Sequence, residues 1–375
     1  MTELYRRLQQ HLDQYPIGFP ATDSGVELDV LKYFFTEAEA EVVLCLGLTH
    51  SRLWRIRRRF ARTHGRDIDE GALGEILERL WSKGSIRRST RSPYGYSVAF
   101  LAIGMFEFHV DDLTPELMRL MHEYFDAGFK DEFFKGMLPQ LRTSPHLKAI
   151  VPEHRIDTYD NMRHYVEHTD QKIGVANCVC KQGEALLGRP CTQVDDIEVC
   201  VFFGESDYVE RGRGRYITRQ ECLDLLDTAE KKGLVLQPGN SLQAFCICLC
   251  CGCCCGVLTA AKKFDKPAGL FATNYFATID AAACNGCGVC VKRCQMDALT
   301  LDREARTVRL DADRCIGCGL CVTTCRPGAA KLQKKAHVTV PPRNLELLYL
   351  AILAKKAGKA RMLLNLLKLA AGARL

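Results

Sequence analysis

The sequence of 375 residues lacks the patterns of several protein classes. No apolar run approaches the 18 or more residues of a membrane-spanning helix. Residues 1–20 do not combine a basic end with an apolar core, so we expect no secretory signal peptide. Because disulfides persist mainly in oxidising compartments, these absences predict reduced thiols and a cytoplasmic location for a chain with 21 cysteines.

The motifs of common cofactor enzymes are also missing. A GxGxxG turn and a GxxxxGK[ST] phosphate loop are absent, which argues against a nucleotide-binding enzyme. The sequence has no CxxCH haem attachment. His164 and His168 share a helix face beside Glu167, but without the HExxH order a packing role is favoured over a metal pair. We therefore find no catalytic residue and no small-molecule substrate, although an enzyme built on an unusual cluster stays open.

Cysteine is concentrated in a repeated pattern. Cys-x-x-Cys-x-x-Cys-x-x-x-Cys occurs twice, at Cys284, Cys287, Cys290, Cys294 and at Cys315, Cys318, Cys321, Cys325. Three thiolates at two-residue spacing suit a loop around one corner of an iron–sulfur cube, and the fourth thiolate binds the other cube. The spacing thus predicts two [4Fe–4S] clusters. Their ligand sets are Cys284, Cys287, Cys290, Cys325 and Cys315, Cys318, Cys321, Cys294.

Residues 276–335 resemble the bacterial two-cluster ferredoxins. That family usually has proline directly after each fourth cysteine, whereas this sequence has Gln295 and Arg326, so we expect looser loops there. The resemblance implies a pseudo-twofold β-α-β fold with short helices after each fourth cysteine. Leu299–Asp302 and Thr307–Asp311 are predicted to form the hairpin between the cluster loops. Zinc prefers two separated cysteine pairs and is disfavoured here.

A second cysteine-dense segment, residues 173–260, has irregular spacing. Cys222 falls among leucines of a helix predicted over 218–232 and is interpreted as a core residue. Neighbouring side chains diverge, so the run 246–255 serves two clusters, or one cluster and core packing. Zinc on four cysteines and a redox-active thiol pair are alternatives. The candidate ligands are Cys178, Cys180, Cys191, Cys200, Cys248, Cys250, Cys251, Cys253, Cys254 and Cys255.

One cube needs four thiolates and two need eight, so ten candidates predict one or two additional [4Fe–4S] clusters in 178–255. The segment also resembles a cysteine-rich module that precedes ferredoxin domains in proteins of anaerobes, where a winged-helix-like part lies N-terminal to it. Lys181 and Leu249 replace an Arg and an Asn of that pattern. The matching elements are Cys178-x-Cys180, Gly188-Arg-Pro-Cys191, Cys200 and the run 246–255.

Residues 1–110 contain a single cysteine and resemble a winged-helix domain. Helices are predicted over 36–46, 51–62 and 70–83, followed by strands at Ile86–Arg88 and Tyr96–Phe100. The second helix is basic, which suits DNA phosphates or an acidic redox partner. The third helix would read the DNA groove, but its acids would meet phosphates badly and disfavour DNA. The basic residues are Arg52, Arg55, Arg57, Arg58, Arg59, Arg62 and Arg66; the acids are Asp69, Glu70, Glu75 and Glu78.

We therefore predict an α+β protein of several domains. The tail mixes lysines with apolar residues at helical spacing, so it either packs on its own chain or lies peripherally on the inner membrane surface. The predicted segments are a winged-helix-like domain at 1–110, a helical connector at 111–172, a cysteine-rich iron–sulfur module at 173–260, a dicluster ferredoxin domain at 261–340 and an amphipathic helical tail at 341–375.

The sequence favours a conduit for single electrons. We expect an electron carrier, or an electron-transfer subunit of an anaerobic oxidoreductase complex, that docks a redox partner through its basic face or its tail. The alternative is a redox-sensing winged-helix regulator of transcription, although four clusters would exceed what a sensor needs. Cations beside the ligands predict reduction potentials above those of acidic ferredoxins. These cations are Lys292, Arg293, Arg314 and Arg326.

Overall fold

The computed structural model describes residues 2–134, 138–150 and 158–357. Helix and sheet are mixed, and the chain divides into two compact units. The first unit contains 1–136, 210–213 and 349–375, and the second contains 137–209 and 214–348. Among the described residues, no helix combines the length and apolar character needed to cross a membrane.

Sixteen α-helices lie in the described chain. They are α1 (Thr2–Asp13), α2 (Val26–Phe34), α3 (Glu37–Val43), α4 (Leu53–His64), α5 (Glu70–Ser82), α6 (Phe106–Phe108), α7 (Pro115–Tyr124), α8 (Lys130–Phe133), α9 (Met162–His168), α10 (Val179–Leu186), α11 (Asp207–Glu210), α12 (Arg219–Lys232), α13 (Gly256–Ala261), α14 (Val289–Arg293), α15 (Leu320–Thr323) and α16 (Leu345–Ala357).

The described strands form four sheets, and all paired neighbours are antiparallel. The sheet orders are β1-β3-β2, β6-β4-β5-β8-β7, β10-β11 and β12-β9. The strands are β1 (Ser51–Arg52), β2 (Ile86–Arg88), β3 (Gly95–Val98), β4 (Ile173–Ala176), β5 (Cys200–Phe203), β6 (Gly214–Ile217), β7 (Val235–Pro238), β8 (Cys246–Cys250), β9 (Tyr275–Ile279), β10 (Leu299–Asp302), β11 (Thr307–Leu310) and β12 (Ala330–Lys334).

The N-terminal helices begin where capping residues predict. Thr36 and Glu39 form a reciprocal capping box at the start of α3. The side chain of Asp69 accepts the N–H of Ala72 at the start of α5. The helices predicted over 36–46 and 70–83 are therefore confirmed, with ends that differ from the prediction by no more than three residues.

The predicted second helix starts too early. Ser51–Arg52 pair with β3 as strand β1, so α4 begins only at Leu53. Pairing to the hairpin outweighs the continuous arginine-rich pattern that suggested a helix from Ser51. The strand predicted at Ile86–Arg88 is confirmed. Its partner strand was predicted over Tyr96–Phe100 and spans Gly95–Val98, so it starts one residue earlier and ends two residues earlier than predicted.

The five-stranded sheet of the second unit has two chemically different faces. Side chains alternate across a strand, so residues at odd and even positions of β8 point to opposite sides. Ile247 and Leu249 join a buried apolar cluster with residues of α9 and α12. Cys246, Cys248 and Cys250 therefore share the other side.

Helix α12 matches its prediction and packs on the apolar side of the sheet. Thr218 and Glu221 form a capping box at its start, and Gly233 adopts the left-handed conformation at its end. Cys222 is fully buried in the apolar cluster. Burial raises the pKa of the Cys222 thiol to about 12, so it is a core residue, as the sequence predicted.

The two short sheets near the C-terminus have the predicted pseudo-twofold β-α-β order. The hairpin β10–β11 is confirmed, with its second strand ending at Leu310. The short helices were expected after each fourth cysteine, and that expectation is wrong. Helices α14 and α15 contain the third cysteines, Cys290 and Cys321, and end just before the fourth, Cys294 and Cys325. A helix placed there carries one ligand and delivers the next at its C-terminal end.

The described part of the tail, α16, packs on its own chain. Leu348, Ile352 and Leu353 are buried. Lys356 forms an ion pair with Glu132 at 2.5 Å and donates to the carbonyl oxygen of Asp13 at 2.8 Å. The remaining apolar positions predicted for the tail, such as Met362 and Leu366, lie outside the described residues.

Candidate metal centres

The repeat cysteines lie in two groups, and each group has the fourth cysteine of the other run nearby. Burial raises the pKa of Cys290, and the nearby thiols of Cys325 and Cys284 raise it further. In the other group, burial raises the pKa of Cys321 well above its usual value, and the thiols of Cys318, Cys315, Cys294 and Cys290 raise it further. Cys325 thus lies near the first run and Cys294 near the second, which fits the predicted exchange of fourth ligands between two adjacent cubes. Cys287 is exposed.

A cavity lies at the second group. Four cysteines line it together with apolar residues that include Ala277, Leu299 and Leu310. Burial raises the pKa of Cys318 to about 12, and the thiols of Cys294 and Cys315 add to that rise. Four sulfur donors around one apolar cavity fit a [4Fe–4S] cluster. These donors are Cys294, Cys315, Cys318 and Cys321.

Backbone amides point at the repeat sulfurs. The N–H of Ala277 lies 3.4 Å from Sγ of Cys315, and that of Ala298 lies 3.3 Å from Sγ of Cys294. The N–H of Ala330 lies 3.3 Å from Sγ of Cys325. Hydrogen bonds to sulfur are one means by which a protein sets cluster potential, so these donors also fit an iron–sulfur site.

Glycine makes the cluster loops tight. Gly317, between Cys315 and Cys318, has φ of +69°, and a Cβ there would lie 2.2 Å from the carbonyl oxygen of Tyr275. Gly286 holds the same place in the first run, with φ of +68° and the carbonyl oxygen of Arg306 at 2.7 Å. Only glycine allows this conformation and this approach together.

Seven cysteines from three parts of the chain gather at the side of the sheet that carries Cys246, Cys248 and Cys250. We call this group of seven the sulfur face. Cys200 on β5 stands opposite Cys248 on β8, and the thiol of Cys248 accepts hydrogen bonds from Cys200, Cys246 and Cys250. These bonds hold the pKa of Cys248 well below its usual value. The thiol of Cys180 on α10 lies near the thiols of Cys178 and Cys255. The members are Cys178, Cys180, Cys200, Cys246, Cys248, Cys250 and Cys255.

Two features of this face did not come from the sequence. Cys246 was not among the ligand candidates, although its two-residue spacing from Cys248 was a usable signal for a shared strand face. Gln237 on β7 is fully buried, and its Nε2 points at Sγ of Cys255, 4.0 Å away. Its Oε1 has no hydrogen-bond partner in the described structure. Gln237 therefore places a buried polar side chain among these thiols.

Apart from the core residue Cys222, the remaining cysteines of the module form a separate four-sulfur group, Cys191, Cys251, Cys253 and Cys254. All four Sγ atoms lie within 4.8 Å of one another. The buried Lys181 places its Nζ 3.1 Å from Sγ of Cys251. A hydrogen bond from Cys254, together with this cation, lowers the pKa of Cys251 to about 3 against the effect of burial. The run 246–255 therefore supplies cysteines to both the sulfur face and the four-sulfur group, as the divergence of neighbouring side chains predicted.

The four-sulfur group and the repeat domain meet at one close contact. The N–H of Gly252 donates to Oε1 of Gln295 at 2.7 Å, and a Cβ on Gly252 would lie 2.3 Å from the carbonyl oxygen of Gln295. Lys262 forms an ion pair with Asp297 at 2.8 Å beside this contact. The loop after Cys294 was expected to be loose, and that expectation is wrong because Gln295 is buried and bonded.

Two of the flanking cations are bound to carbonyl oxygens. Arg293 donates to the carbonyls of Glu230 and Lys231 at the C-terminal end of α12. Arg314 donates to the carbonyl of Met296. Lys292 and Arg326 are exposed. The expected rise in reduction potential therefore depends on partly solvated charges and stays a prediction.

The histidine candidates lie on α9. Donor atoms of His164, Glu167 and His168 lie within 4.8 Å of one another, and none of the three residues is buried. Nδ1 of His168 lies 2.9 Å from the carbonyl oxygen of His164, and the two rings contact each other with centroids 4.0 Å apart and an interplanar angle of 35°. This hydrogen bond and this ring contact within one helix turn fit the packing role that the sequence favoured.

Some of the arginines in and beside α4 form ion pairs within the protein, and others are exposed to solvent. Arg57 pairs with Asp67, and Arg66 pairs with Glu41. Trp54 is 57% exposed beside the remaining arginines. We call this surface the basic patch; its exposed members are Arg52, Trp54, Arg55, Arg58 and Arg62.

Comparison with known proteins covers one region of the chain. Residues 283–329 match the family model described as a 4Fe-4S dicluster domain, which spans both cysteine runs. No curated protein and no solved structure matches the chain. Residues 283–329 are therefore a ferredoxin-type dicluster domain, and the sulfur face and the four-sulfur group lie outside the matched region.

Proposed function

We propose that this protein transfers single electrons, as a carrier or as an electron-transfer subunit of an anaerobic oxidoreductase complex. The dicluster domain and the cysteine groups support iron–sulfur electron transfer. When bound, a [4Fe–4S] cluster accepts and releases one electron at a time. The observation that carries the proposal is the cavity lined by Cys294 together with Cys315, Cys318 and Cys321, which places the fourth cysteine of the first run beside the second run.

The ligands follow from the cysteine groups. One cluster belongs to Cys284, Cys287, Cys290 and Cys325, and the other to Cys294, Cys315, Cys318 and Cys321. We propose at least one additional [4Fe–4S] cluster on the sulfur face, because its seven thiols exceed the four that one cube needs.

The chain itself supplies the environment for this chemistry. Apolar side chains such as Leu299 and Leu310 exclude water from the second cluster site. The amides of Ala277 and Ala298 stabilise negative charge on their cysteine sulfurs. The contact between Gly252 and Gln295 links the dicluster domain to the cysteine-rich sheet, so electrons need not cross bulk water between them.

We propose that the basic patch docks an acidic redox partner. The order α3-β1-α4-α5-β2-β3 supports a winged-helix fold for this part of the chain. The exposed side of α5 carries Glu70 and Glu75, which suits protein docking better than DNA. A gel shift at physiological salt, with oxidised and reduced protein, tests the regulator alternative; specific DNA binding that depends on the redox state would favour it over docking.

An EPR-monitored redox titration of the anaerobically purified full chain tests the electron-transfer proposal. We expect cluster signals that appear on reduction and disappear on reoxidation, without loss of iron. Clusters that cannot be reduced, or that decompose after one cycle, would refute it. Electron delivery to an acidic ferredoxin should slow at low salt in Arg55→Glu/Arg58→Glu and not in the exposed control Lys232→Glu.

A further inference from the structure

The four-sulfur group differs from the other cysteine groups in its close packing. Sγ of Cys191 lies 3.6 Å from Sγ of Cys251 and 3.9 Å from Sγ of Cys253. Sγ of Cys254 lies 3.6 Å from Sγ of Cys253. Within the described chain, this is the sole set of three or more cysteines whose sulfurs all lie within 4.8 Å of one another.

These distances have the size of a site for one ion. Four thiolates placed tetrahedrally at a Zn–S distance of about 2.3 Å have sulfur atoms about 3.8 Å apart. A cube binds each thiolate to a different iron atom, so the cluster itself separates the sulfurs more widely. We propose that Cys191, Cys251, Cys253 and Cys254 bind a single Zn²⁺ ion, as a site distinct from the iron–sulfur clusters.

The surroundings fit a closed zinc site. Four protein thiolates fill the tetrahedral coordination shell and leave no open position, as in structural zinc sites. Zn²⁺ with four thiolates carries a net charge of about −2, which is costly to bury without a counter-charge. Lys181 is 1% exposed and supplies that charge, with its Nζ 3.1 Å from Sγ of Cys251.

The position of the site gives the ion a role. Cys191 comes from the loop after α10, whereas the other three ligands come from the turn after β8. Zinc would cross-link these two segments. Gly252, which bonds Gln295 of the dicluster domain, lies inside the cross-linked turn. The ion would therefore hold the turn in place for that contact and would not itself carry electrons.

Metal analysis of the full chain tests this site. Zinc and iron are measured on anaerobically purified wild type, Cys191→Ala, Cys253→Ala and the control Cys222→Ala. We expect about one zinc per wild-type chain, loss of that zinc in both site variants, and unchanged zinc in the control. The iron content of both site variants should stay near the wild-type value.

X-ray absorption at the zinc edge of the wild type tests the ligands without any variant. We expect four sulfur neighbours at about 2.3 Å. The proposal is overturned by absence of zinc, by nitrogen or oxygen neighbours, by a single iron ion in the site, or by loss of about four irons in Cys191→Ala, which would indicate a cube. Failure of the electron-transfer proposal is distinguishable, because it would appear as absent reversible EPR signals at normal zinc content.

Discussion

The dicluster domain and the cysteine-rich sheet both bring many thiols together, but they do so by different means. In the dicluster domain, tight glycine loops and short helices position the thiols, so sequence spacing alone predicts the ligand set. In the sheet, strand alternation decides which thiols share a side, and the chain then turns at Gly252 to serve a second group. The first arrangement has no spare ligand, whereas the second has more thiols than one cube needs.

The largest expected difference concerns the loss of a single thiol. Cys318→Ser removes one of four ligands of its cluster and should lower the iron content by about four per chain. Cys246→Ser leaves six thiols on the sulfur face, so we expect most of the iron to remain. Iron and acid-labile sulfide analysis of both variants measures this. Equal losses in the two variants would contradict the contrast between the regions.

A second difference concerns the glycines. Gly317→Ala would bring its Cβ to 2.2 Å from the carbonyl oxygen of Tyr275 at φ of +69°. We expect it to lower the free energy of unfolding by about 3 kcal/mol, because strain and overpacking add. The control Gly188→Ala in the sheet region has φ of +76° and no heavy atom within 4 Å, so it should cost about 1 kcal/mol. Denaturant titrations compare them; similar losses would show that the loop is less tight than the distance indicates.

The contact between the two regions gives a third prediction. Gln295→Ala leaves the N–H of Gly252 without its acceptor and should cost about 1–2 kcal/mol. It should also alter the EPR signal of the cluster at Cys294 while leaving the signal at Cys284 unchanged. Gln295→Glu keeps an acceptor oxygen and is the matched control. If Gln295→Ala leaves stability and both signals at wild-type values, the contact does not couple the regions.

The smallest effect is expected at Arg293. Its guanidinium binds carbonyls at the C-terminal end of α12, where a cation is favourable. Arg293→Gln should lower the free energy of unfolding by about 0.5–1 kcal/mol and lower the potential of the nearby cluster slightly. Exposed Lys292→Gln, which has no such carbonyl partners to lose, should leave stability unchanged. A larger stability loss for Lys292→Gln than for Arg293→Gln would show that the carbonyl contacts of Arg293 do not stabilise the fold.

The same contrast explains what could be read from the sequence. The hairpin at Leu299–Asp302, the capped helix at α12 and the core role of Cys222 follow from local patterns, and the structure has them. The grouping of Cys191 with Cys251 could not be read, because it depends on how β8 pairs and where the chain turns. Cys246 was not predicted as a ligand, although its two-residue spacing from Cys248 indicated that the two side chains share one face of a strand.

Other features depend on tertiary contacts that spacing does not encode. Ser51–Arg52 form a strand only because β3 is available to pair with them. Gln295 stands where the resemblance implies proline, and its side chain accepts the N–H of Gly252. Neither partner lies near in sequence, so the local pattern indicated a longer helix and a looser loop.

Iron and sulfide analysis of the anaerobically purified full chain tests the central claim most directly. If the sulfur face carries a further [4Fe–4S] cluster beside the two of the dicluster domain, we expect about twelve iron and twelve sulfide ions per chain. A value of about eight irons would leave only the dicluster domain and would contradict the additional cluster.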